Sequence, residues 1–182
     1  MIPEDEYFAS PSPWELPDMV PFQDEMMPPF SILLLRPECN VMLPSEIDLL
    51  HGLVQEQRGT YGEEIQPFPL RLDMTSAIAV WMRDVERYPW AYSYCSYMAS
   101  NLCLAFVLKG NQSARLAKAS IRGHMRGPIE RLREQIGMGF IPDLVHGSDP
   151  EDGYYELPIF LNSRIQLDNT GPSYSCFAPY LL

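Results

Sequence analysis

Leu144-Val145-His146-Gly147-Ser148-Asp149 is a short apolar run that delivers a histidine into a Gly-Ser-Asp turn, and Glu156 follows soon after in an apolar segment. Of the three histidines, His146 alone stands where a strand would end in a polar turn, which is where a rigid scaffold presents reactive groups. A four-residue pattern recurs by chance, and a strand-end histidine is more often a satisfied hydrogen-bonding residue than a nucleophile. What lies upstream in register decides between the two.

Outward from His146, hydrophobic periodicity divides the chain. Phe30 to Leu35 reads as a buried strand, Pro44 to Gln57 as a helix with Ser45 as a candidate cap, and Ile65 to Leu72 as a second strand. Thr75 to Arg87 and Trp90 to Ala99 read as consecutive helices, Leu102 to Leu108 as a third strand, and Gln112 to Ala119 as a short helix. Gly123 to Pro142, with four glycines and two prolines, reads as a long loop with one helical turn before a fourth strand ending at His146. Residues 152–161 are expected as a last helix, and 163–182 as a tail rich in Tyr, Pro and Ser. Residues 1–29 hold seven acids, seven prolines and no Lys or Arg. Proline blocks helix and like charges repel, so this stretch is expected to be an arm outside the domain of residues 30–162. Periodicity alone gives a mixed α and β chain.

Composition fits one folded unit. A chain of 182 residues with 46% hydrophobic content can bury one good core and is short for two. No apolar run approaches the roughly eighteen residues of a spanning helix, and the first residues lack a basic secretory start, so a cytoplasmic protein without a membrane partner is expected. Cys39, Cys95, Cys103 and Cys176 show no C-x-x-C pairing and read as reduced core thiols rather than a metal site. A net charge of -11 argues against nucleic acid as a partner. Lys109 to Arg133, however, holds seven of the thirteen basic residues. A solvated helix face is the bland reading of that run; before the histidine, it is also where a polyphosphate would be clamped.

Ile32-Leu33-Leu34-Leu35-Arg36-Pro37-Glu38, Tyr88-Pro89-Trp90, Tyr97-Met98-Ala99-Ser100, Lys118, Arg133 in Leu132-Arg133 to Gly137, and Val145 to Asp149 follow one another in an order that resembles the nucleoside diphosphate kinases over residues 30–162. The resemblance implies an α+β fold: a ferredoxin-like four-stranded antiparallel sheet with helices packed on one face, an added helical hairpin and a final helix. It also implies that His146 carries a transient phosphate, that Glu156 holds its second ring nitrogen, and that Ser148 belongs to the same catalytic set. Arg36, Lys118, Arg133 and Asp143 fall on the nucleotide-binding positions, and Trp90 on the aromatic that stacks against the base. Mg²⁺ as cofactor, nucleoside di- and triphosphates as ligands and a homo-oligomer follow from the same likeness.

The chemistry suits these residue types. Neutral imidazole is nucleophilic near pH 7, arginine forks match phosphate oxygens, and an aromatic face accepts any base. Several positions depart from the family pattern. Arginine and lysine are exchanged at 36 and 118, Met82 replaces a tyrosine, Tyr88 replaces an arginine, and Asp143 stands where the family has asparagine. The loop from Ala119 to Pro128 is about two residues short, with His124 as a possible donor in place of a threonine, and Arg115 and Arg122 are near enough to substitute for either exchanged cation. The first reading is a phosphotransferase moving the terminal phosphate of a triphosphate to a nucleoside diphosphate through phosphohistidine. The alternatives are a relative that binds nucleotide or a partner without turnover, and a kinase specialised for an unusual nucleotide.

Overall fold

The computed structural model describes residues 27–136, 143–166 and 176–180. Of the expected N-terminal arm, all but the last three residues lie outside them. Strand β1 (Phe30–Leu35) pairs antiparallel with β3 (Cys103–Lys109) on one side and with β4 (Val145–Gly147) on the other; β2 (Glu63–Leu70) completes the sheet against β3. The order is β2-β3-β1-β4. This is the expected α+β architecture with a ferredoxin-like antiparallel sheet.

Both faces of the sheet are covered, which explains why β1 and β3 read as unbroken apolar runs rather than as alternating ones. Leu33, Leu35, Leu104, Phe106 and Leu108 point to one face, beneath α1 (Pro44–Tyr61), α5 (Ser113–His124) and α6 (Arg126–Ile136). Ile32, Leu34, Phe68, Ala105 and Val107 point to the other, beneath α2 (Met74–Val80), α4 (Ala91–Ser100) and α7 (Gly153–Asn162). The helices that cross between strands, α1 and α5, share the first face with α6. The hairpin helices and α7 close the second face.

Three local expectations are corrected. The stretch Gly123 to Pro142 is not a long loop: α5 continues to His124, and α6 follows after Met125 alone. Pro128 is tolerated because it sits in the first turn of α6, where a missing N–H breaks no bond. Residues 137–142 of that stretch lie outside the described ones. Thr75 to Arg87 is not one helix but two, α2 and α3 (Met82–Arg87), separated at Trp81, whose φ of -108° and ψ of 27° leave the helical region while its ring is buried. Helix α1 runs four residues past Gln57 and stops at Gly62, where a φ of 64° ends it. In the tail, Arg164 bridges to Leu70 at the β2 edge, and Cys176, Phe177 and Tyr180 join the apolar cluster under α1. All four cysteines are free and buried. Among the described residues no helix is long and apolar enough to cross a membrane.

Candidate active site

The apolar run of β1 ends abruptly at Arg36, which begins a short 3-10 turn, Pro37–Val41. Beside it, the backbone entering β4 is strained. Leu144 has a φ of 59°, uncommon for a side chain of its bulk, and Val145 N–H donates to the Asp143 carbonyl across it at 2.6 Å. The conformation is held in place by its surroundings. The Leu144 carbonyl accepts from Arg36 N–H at 2.8 Å and from Cys39 Sγ at 3.5 Å, and its side chain is fully buried. This turn sets Asp143 at one side of the strand and His146 two residues beyond the kink.

His146 lies against Trp81, ring centroids 5.5 Å apart, and its Nε2 is 3.0 and 3.2 Å from the two Glu156 oxygens. Glu156 is buried in the first turn of α7. An ionised carboxylate can only accept, so this contact places the ring proton on Nε2 and leaves Nδ1 with its lone pair. No hydrogen bond to Nδ1 occurs among the described residues. Gly147 follows because α5 passes close: a Cβ there would stand 2.6 Å from the Ala114 carbonyl oxygen. Ser148 is set apart from the other expected catalytic residues. It is fully buried and its hydroxyl accepts from Ile32 N–H at 2.8 Å while its own N–H donates to the Ile32 carbonyl, so it locks the end of β4 to β1.

His146 and Glu156 open onto a cleft of about 1010 Å³ that also holds Arg36, Trp90, Lys118, Arg133 and Asp143. Seven of the eight residues expected from the sequence thus share one cavity. Arg133, exposed in the last turn of α6, has no ion pair among the described residues. Trp90 lines the cleft at 38% exposure and is backed by Tyr88, stacked on it at 5.3 Å. Lys118 and Arg122 project from successive turns of α5 toward Asp143, with Nζ at 3.7 Å and Nε at 2.5 Å from its carboxylate. Arg36 reaches the same carboxylate at 3.7 Å, Glu38 at 2.6 Å, and lies over the Tyr94 ring at 4.6 Å.

Burial opposes charge on Arg36, but Tyr94, Glu38 and Asp143 outweigh it and keep the guanidinium protonated. Glu38 is pushed above the usual carboxylate range by burial, with Arg36 pulling the other way. Lys118 is lowered, first by burial and against the pull of Asp143. Three features were not assigned a role from sequence: Glu38 as the fixed partner of Arg36, Trp81 as the wall against the imidazole, and the strained Leu144. Glu38 stands in the Arg-Pro-Glu segment that marked the end of β1, so its position was visible. The other two have no sequence signal, because burial and backbone strain arise only from the folded chain. Arg122 lines the cleft, whereas Arg115 does not, and His124 is exposed and bonded to the Ser120 carbonyl of its own helix.

No family model and no curated protein matches the chain. Among solved structures it is similar to the nucleoside-diphosphate kinase from Borrelia burgdorferi, a transition state mimic with bound vanadate and ADP, at 17% identity over 78% of this chain and 92% of that one, with a TM-score of 0.51. The chain has a nucleoside diphosphate kinase-like fold. The Aquifex aeolicus nucleoside diphosphate kinase also matches, at 19% identity over 71% and 92% of the two chains with a TM-score of 0.46. Such low identity makes this chain a divergent bearer of the nucleoside diphosphate kinase-like fold.

Proposed function

We propose that the cleft accepts the terminal phosphate of a nucleoside triphosphate on His146 Nδ1 and passes it to a nucleoside diphosphate. The single observation that carries this reading is the pairing of His146 Nε2 with the buried Glu156 inside a cleft furnished with arginine, lysine and an exposed tryptophan. A structural histidine would have no use for that surrounding set. The vanadate and ADP held by the similar Borrelia enzyme are consistent with it.

The Nδ1 lone pair attacks the terminal phosphorus, the bond to the bridging oxygen breaks, and the diphosphate leaves with that electron pair. As the ring gains positive charge, the Glu156 carboxylate stabilises the Nε2–H side. In the second half a terminal oxygen of the acceptor diphosphate attacks, and the P–N bond breaks back to imidazole. Arg133 and Lys118 supply donors to oxygens that gather charge, while Trp90 offers a face to the base. Mg²⁺ bound to the phosphates as part of the substrate would supply further positive charge there.

Intact mass after mixing with Mg·ATP tests the reading. One acid-labile phosphate on the native chain and none on His146→Ala is the expected result. Nucleotide binding with no phosphate on either would favour the non-catalytic relative, for which the acid already sitting in the phosphate clamp, Asp143, is the supporting observation.

A further inference from the structure

Asp143 is an anion lodged among cations that would otherwise meet a phosphate. Its carboxylate receives Arg122 from one side, Lys118 from another, and Arg36 from the end of β1, and its side chain is only 15% exposed. The carboxylate cannot swing away with its backbone. Val145 N–H bonds the Asp143 carbonyl, and the next residue is fixed by two bonds to its own carbonyl and by burial. Arg36 is equally committed, to Glu38 and Tyr94. Among the three cations the most exposed is Arg122, at 47%, toward the end of α5.

We infer that Asp143 sets the charge selectivity of this cleft, admitting a polyphosphate whose charge is already neutralised by a divalent cation and disfavouring the same polyphosphate without one. This deepens the nucleotide-binding reading given above and rests on it. A fixed carboxylate beside incoming phosphate oxygens repels them, and it competes with them for Lys118 and Arg122. A metal ion carried by the ligand offsets the repulsion, because the carboxylate then faces a less negative group. An uncharged amide at 143 would keep the shape, release the two cations and remove the repulsion. The other acids lining the cleft, Asp84, Asp149, Glu151, Asp152 and Glu156, act in the same direction, and of these Glu156 is paired with His146.

Calorimetric binding of ADP to the full chain, once with Mg²⁺ and once with a chelator, tests the inference without any phosphoryl transfer. Asp143→Asn is expected to tighten metal-free ADP about tenfold, with a smaller change for the Mg²⁺ complex, so that the preference for the metal complex shrinks. An unchanged or increased preference overturns the inference, as does absence of ADP binding by both the native chain and the variant. If Asp143→Asn fails to fold, Arg122→Ala decides. That exposed change leaves Asp143 less neutralised and is expected to increase the preference; no increase overturns the proposal. Failure of His146 to take phosphate would refute the kinase reading while leaving a shifted preference intact, so the two can fail separately.

Discussion

Beneath α1 and α5 the sheet is held by Leu33, Leu35, Leu104, Phe106 and Leu108, and the buried polar groups nearby are few, Gln57 and Ser113 among them. At the cleft end of the same strands, Arg36, Glu38 and Glu156 are buried and the backbone kinks at Leu144. The first region follows every local rule for a stable core. The second breaks several, since buried ion pairs give less stability than packed apolar groups of similar volume. Such violations are expected at functional sites, so the contrast separates what keeps the chain folded from the site proposed to carry phosphate.

The largest expected effect in the apolar region is that of Phe106→Ala, which empties a fully buried site next to Tyr180. It should cost about 3–5 kcal/mol in urea denaturation while leaving the rate of His146 labelling per folded molecule unchanged. The converse applies to Glu156→Ala. Labelling should slow about 100-fold because the imidazole loses its tautomer and orientation, while the denaturation midpoint moves less than for Phe106→Ala. If both variants lose stability and labelling in proportion, the two regions are not separable. Gly147→Ala touches both, since its Cβ meets the α5 backbone. A cost of about 1–3 kcal/mol is expected from displacing that helix, with slower labelling as Lys118 and Arg122 move with it. The smallest effect lies far from the cleft, where Arg131 pairs with Glu46 at 2.5 Å. The hydrogen bond from Arg131 lowers the Glu46 pKa, so its contribution is present at neutral pH and lost as pH falls through that lowered value. Arg131→Gln should remove under about 1 kcal/mol at pH 7 and nothing in acid.

The sequence was readable where one physical cause acts at a time. Strands β1 and β3 are covered on both faces, so their apolar runs are continuous and unmistakable. His146, Glu156, Lys118 and Arg133 were legible as a set because their order along the chain matched a known pattern, and the fold brings them into one cleft. Helix α6 was not legible, because Gly127 and Pro128 suggest a loop when their place within the first turn is unknown. Neither glycine at 123 or 127 has anything within 4 Å of an added Cβ, so neither marks a structural need. The break at Trp81 depends on the ring finding Tyr94 and His146, contacts between distant residues that no local pattern records. Ser148 carried a catalytic expectation, and its hydroxyl accepts from the Ile32 N–H of β1, a partner 116 residues away that only the sheet register brings near.

The central claim is that Glu156 reserves one imidazole nitrogen and leaves the other for phosphate. Phosphorus-31 and nitrogen-15 NMR of the chain after reaction with Mg·ATP identifies the substituted nitrogen directly. Phosphate bonded to Nδ1 of His146, and transferred on addition of a nucleoside diphosphate, is the expected result; phosphate on Nε2, on another residue, or on none would contradict it.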